Sequence, residues 1–129
     1  MAFILVAIAV GFIAASLCDW LFMGVLFHER YRTYPEVWRD SENERQKILV
    51  AQLYSLMTAC GVVGLAVLLG PFHIETAIAV AVLTWLAGPL PLLLGNHLFI
   101  KLDPAVTAAH AAGWLVKLVL IAVIASLIL

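Results

Sequence analysis

The stretch 104–129, PAVTAAHAAGWLVKLVLIAVIASLIL, decides the fold, because it carries Lys117 as its single charged residue. Asp103 and Pro104 supply an N-cap and an N1 proline, so a helix starts there. An ammonium near the centre of a bilayer costs at least about 2.5 kcal/mol on insertion scales, so Lys117 requires a polar interior around it. Asp19 and His110 stand in equally oily surroundings and point the same way.

Working outward, the rest of the chain has the same character. It has 129 residues, of which 65% are hydrophobic and 12% charged, with a mean hydropathy of +1.11. Such a composition belongs to an integral membrane protein. Its long uninterrupted apolar runs predict spanning α-helices rather than the alternating strands of a barrel. Four spans are expected, at 2–27, 48–69, 74–100 and 104–129. At about 1.5 Å per residue each covers roughly 33–40 Å, enough to cross a ~30 Å hydrocarbon core with some tilt. The expected fold is all-α, a single domain over 1–129, with a short amphipathic connection after the first helix.

The segment ends carry their own signals. Ser41 and Glu44 have capping-box spacing, which would start the second helix in water. Gly70 and Pro71 stop that helix and leave a tight hairpin before Ile74. The N-terminal run lacks a basic n-region and is too long for a secretion signal, so it is expected to remain as the first helix. Cys18 and Cys60 both fall in apolar runs, with no metal-binding spacing and no expected disulfide.

Arg30, Arg32, Arg39, Arg45 and Lys47 follow the first helix and Lys101 follows the third, whereas the opposite loops hold no Lys or Arg. This asymmetry predicts a multi-pass protein of the cytoplasmic membrane with both termini on the outer side. Phe27, Tyr31, Tyr34 and Trp38 among these charges suit an interfacial anchor. A net charge of -1 carries no nucleic-acid signal.

Counted inward from the cytoplasmic ends, His97, Gln52, His110, Tyr54, Ser55 and Asp19 fall at depths of about 5–12 Å. They are expected to form one polar layer to which every span contributes. Thr107, His110, Trp114 and Lys117 share one stripe of the last helix, which must face inward. Asp19 is expected to face His110, directly or through a water. Lys117, at about 20 Å, is expected to reach Asp19 or the carbonyls of Trp85 and Ala87, which Pro89 and Pro91 free in the third span. The candidate ligand- or proton-binding residues are therefore Asp19, His110, Lys117, His97, Gln52 and Tyr54.

Small residues make two ridges, Thr84, Gly88, Pro91 and Gly95 on the third helix and Gly11, Ala15 and Cys18 on the first. Both suit close helix packing, and one of them would suit a homodimer. His28 and His73 read as solvated surface histidines.

The pair Leu98-Phe99 and the run His110-Ala111-Ala112-Gly113-Trp114-Leu115-Val116 resemble the end of a group of small bacterial four-helix membrane proteins. These are catalogued as domain-of-unknown-function family seventeen sixty-one. The resemblance extends loosely to Trp20, Gly24, Leu26 and Phe27. There the family usually carries Trp-Tyr-Ser-Pro and this chain reads Trp20-Leu21-Phe22-Met23. It is clearest in the C-terminal third, and it implies an architecture and no activity.

Three functions fit these residues. The first is a small protein that binds or transports a proton, small ion or small molecule through the intramembrane polar site. The second is an accessory subunit of a larger membrane complex, with His97 or His110 as the ligand of a haem or chlorin if a cofactor is bound. The third is a membrane enzyme with Asp19 and His110 as acid and base, which ranks last because no activated nucleophile or closed metal set is visible. Apart from the haem or chlorin of the second reading no cofactor is expected, and the bilayer itself is the expected surrounding partner.

Overall fold

The computed structural model describes residues 1–37, 43–70 and 73–129. All the regular structure it describes is helical. Four helical stretches are long and apolar enough to span a membrane, Ala2–Leu26, Arg45–Leu69, Ile74–Phe99 and Pro104–Ile128. We label the α-helices α1 (Ala2–Asp19), α2 (Glu44–Leu69), α3 (Ile74–Ala87), α4 (Pro89–Phe99) and α5 (Pro104–Ile128).

The spans agree with those expected from hydropathy, and the differences at their ends have physical causes. α1 runs on into a π-helical segment, Trp20–Leu26, closed by the i→i+5 bond from Phe27 N–H to Phe22 C=O at 3.2 Å. The third span is broken rather than merely kinked. Gly88 leaves helical geometry at φ -131 and ψ -84, because the rings of Pro89 and Pro91 clash with a continuing helix. α2 starts behind Asn43, so Ser41 of the expected capping box lies outside the described residues. So do Trp38 and Arg39 of the basic connection, and Pro71 of the hairpin. Gly70, at φ +76, closes α2 in a conformation that disfavours any side chain. Asp103 caps α5 as expected, its Oδ1 accepting from the Ala105 N–H at 2.7 Å.

The core is built from small side chains and the outside from large ones. Ala7, Ala15, Ala59, Ala66, Ala77, Ala81, Ala109, Ala122 and Ala125 are buried with Val62, Val63, Leu118 and Ile121. Phe3, Leu53, Met57, Leu68, Leu83 and Leu98 are exposed. In water this would be inverted; in lipid, large apolar side chains gain nothing by leaving the surface, and small ones let helices approach. α5 is the central helix, packed against α1, α2, α3 and α4, with α1 lying also against α2.

The two small-residue ridges have different fates. Gly11, Ala15 and Cys18 are buried, and a Cβ on Gly11 would stand 3.1 Å from Ile121 Cγ2, so this ridge seats α1 on α5. On the third span Gly88 and Pro91 are exposed, and a Cβ on Gly95 would meet nothing within 4 Å. Among the described residues that ridge is only partly packed, with Thr84 and Gly95 half-buried.

Candidate functional site

The site is assembled where the end of α1 meets the middle of α5 and the first buried turn of α2. Lys117 Nζ donates to Asp19 Oδ1 at 2.7 Å and Oδ2 at 3.0 Å, and Ser55 Oγ donates to Oδ2 at 2.7 Å. The ammonium also stands 4.2 Å from the centre of the Trp114 ring, a cation–π contact one turn back along α5. Lys117 therefore reaches Asp19, and not the carbonyls around the Pro89 break.

Counted along straight helices, Asp19 and Lys117 differ in depth by about 8 Å. They meet because α1 and α5 are antiparallel and every side chain leans toward the N-terminus of its own helix. Asp19 leans back along α1 and Lys117 leans back along α5, so the two incline toward each other. Of the two side chains, the ammonium is sealed at 6% exposure and the carboxylate is open at 25%.

Asp19 and His110, expected to face each other directly or through a water, share no direct hydrogen bond, and each has partners of its own. His110 Nε2 lies 2.7 Å from the hydroxyl of Tyr31, edge to face with its ring. The same hydroxyl donates to Met23 Sδ at 2.9 Å. The tautomer of His110 sets which of the two groups donates in the Tyr31–His110 contact. The segment His28–Arg32 folds Tyr31 inward, although its composition reads as an interfacial anchor. Tyr34 stays near the surface, with Lys101 Nζ 4.7 Å from its ring centre and 2.7 Å from Glu36 Oε1.

Burial, and after it the negative charge of Asp19, pushes the Tyr31 phenol from 10.0 up to about 12. A raised value means that the folded state favours the protonated phenol. Its contribution to stability is therefore complete below about pH 10 and is lost as pH rises toward about 12. Alkaline unfolding of the wild type should show this loss, and Tyr31→Phe, which cannot ionise, should flatten the profile in that window. An unchanged profile would mean that Tyr31 is solvated as an ordinary surface tyrosine.

A groove with a cavity volume of about 700 Å³ opens beside the ion pair. One wall is Trp20, Met23 and Gly24 of the π segment; the other is Ile48, Ala51, Gln52, Tyr54, Ser55 and Thr58 of α2. Trp114 and Lys117 of α5 also line it, as do His28 and Tyr31 of the connection after the first span. It exists because α2 is exposed along its first turns and joins the core only at Ser55.

Gln52, Tyr54, Asp19 and Lys117 thus share one groove. The polar layer does not extend to the third span, since His97 Nδ1 instead faces Thr107 Oγ1 at 3.2 Å, away from the groove lining. His97 and His110 each have one ring nitrogen occupied in this way, so a haem or chlorin would have to use the other. No group of three or more His, Cys, Asp or Glu among the described residues could hold a metal ion. Sequence reasoning did not place Tyr31, Met23, Trp20 or most of the groove-lining face of α2 in the site. An aromatic residue in a basic loop carries no signal that it folds inward, although the two-residue spacing of Gln52 and Tyr54 did mark part of that face.

These features define a class, a multi-pass four-helix membrane protein with a buried carboxylate–ammonium pair at the base of a side groove. The chain belongs to the family described as "Protein of unknown function (DUF1761)", which matches residues 6–126. The match covers nearly the whole chain, so the likeness extends well beyond the C-terminal third. No curated protein and no solved structure matches the chain.

Proposed function

We propose that this protein binds a small amphipathic molecule taken from the bilayer, holding its polar end at the Asp19–Lys117 pair and its apolar body between the π segment and α2. The observation that carries this reading is the groove itself. Its volume is that of a small-molecule site, its walls are mainly apolar by area, and Asp19, Ser55 and Lys117 meet at one place in its lining, as a site for an oriented ligand requires. An ion pair needed only for packing would have no reason to stand open on such a space. The basic connection after the first span supports an orientation with the groove in the cytoplasmic half of the membrane and both termini outside. C-terminal reporter fusions active only in the cytoplasm would reverse that orientation.

A photoactivatable dodecyl probe tests the binding. In lipid nanodiscs its labelling should saturate and concentrate on Trp20, Ala51 and Tyr54. Ala51→Phe, which fills the groove from the exposed side of α2, should reduce that labelling at least about tenfold, the equivalent of about 1.4 kcal/mol. Labelling spread evenly over outward residues such as Leu68 and Leu83, and indifferent to Ala51→Phe, would remove the proposal.

A further inference from the structure

The geometry points to an uncharged, hydroxyl-bearing amphiphile, of the monoacylglycerol type, as the occupant of this groove, in preference to a fatty acid or an alkylamine. The inference rests on the groove being the binding site and concerns which head group it accepts.

A carboxylate has about four lone-pair directions. In Asp19 three are taken, two by Lys117 and one by Ser55. The fourth is left to the groove, on the more exposed partner of the pair. The group presented to a ligand is therefore an acceptor, and it calls for a donor such as a hydroxyl. The ammonium offers less in return: two of its three N–H donors go to the carboxylate, it is sealed, and the Trp114 ring covers it.

Charge then sets the preference. The groove lining contains one acid, Asp19, and one base, Lys117, which cancel at contact distance, while Gln52, Tyr31, Tyr54 and Thr58 are neutral hydrogen-bonding groups. His28, also in the lining, is exposed at the outer edge, away from the ion pair. A carboxylate head would meet Asp19 in front of the cation that should attract it. An ammonium head would reach Asp19 only by approaching Lys117 with like charge. In a mainly apolar groove each such approach is penalised, and discrimination of this kind comes from the repelled alternatives as much as from the accepted one. A polyol head meets neither repulsion and can use Gln52 and Tyr54 with its further hydroxyls.

Three photoactivatable probes with the same dodecyl chain and different heads, a glycerol monoester, a carboxylate and a primary amine, test this in nanodiscs at mildly alkaline pH. The readout is the concentration giving half-maximal labelling of Trp20, Ala51 and Tyr54. The glycerol ester should label at a concentration at least about tenfold lower than either charged probe. The double variant Asp19→Asn/Lys117→Met should narrow that ratio toward one, because it removes both repelling charges and leaves no buried charge unpaired. Groove labelling by the carboxylate or the amine as tight as by the ester, and still blocked by Ala51→Phe, would overturn the head-group inference while leaving the groove as a binding site. Discrimination that persisted in the double variant would equally overturn it. Failure of all three probes to label the groove saturably would overturn both this inference and the reading on which it rests.

Discussion

Replacing Lys117 with Met is expected to lower the unfolding free energy in detergent by about 3–5 kcal/mol, the cost of removing one partner from a buried pair. Methionine keeps the stem's bulk, so the loss reports the charge and not the packing. The remaining carboxylate would retain Ser55 as its donor but would lose both ammonium contacts. Asp19→Asn in the same background should restore most of the lost stability, because it leaves no charge to desolvate and keeps an oxygen for the Ser55 hydroxyl. The four proteins form a double-mutant cycle, read by thermal or denaturant unfolding. If Lys117→Met alone were as stable as wild type, the ion pair would be no part of what holds α1 to α5. The premise that the chain requires a partner for Lys117 would then be wrong.

The second large effect is expected where α1 lies closest to α5. Any Cβ at position 11 would approach Ile121 Cγ2 to 3.1 Å, and Ile121 is itself fully buried. Gly11→Leu must push the helices apart or force an unfavourable rotamer, at a cost of about 1–3 kcal/mol. The movement would also separate Asp19 from Lys117, which lie further along the same contact. Gly61→Leu is the natural control, since a Cβ there meets nothing within 4 Å and the residue is exposed. It should change stability by no more than about 0.5 kcal/mol. Equal effects of the two substitutions would mean that helix propensity, and not the α1–α5 contact, governs the result.

Much of this architecture can be read from residues alone, and the reason is the solvent. A bilayer forces backbone polar groups to be satisfied within each segment, so apolar runs of this length have to be helices, and hydropathy alone locates all four of them. The cap at Asp103, the stop at Gly70 and the interruption by Pro89 and Pro91 are backbone rules that act over a few residues, and each appears where it was expected. The need of Lys117 for a partner was legible for the same reason, because an unpaired ammonium at that depth is too costly to be neutral.

Which partner it takes was decided by tertiary structure. Depth counted along straight helices put Asp19 level with His110 and well short of Lys117. The lean of side chains on antiparallel helices brings Asp19 to Lys117 instead, and the inward fold of Tyr31 supplies His110 with a different neighbour. The π segment turns Trp20, Met23 and Gly24 toward α2, and no local pattern of apolar residues announces a change from i→i+4 to i→i+5 bonding. His97 shares the nominal depth of the groove residues but faces Thr107, because rotation about a helix axis, unlike depth, depends on what the neighbouring helix presents. The sequence by itself determined the spans, their breaks and the presence of buried charge, all set by solvent and short-range backbone chemistry. Helix rotation, side-chain lean and the splay of α2 that opens the groove were left to the packing of one helix against another.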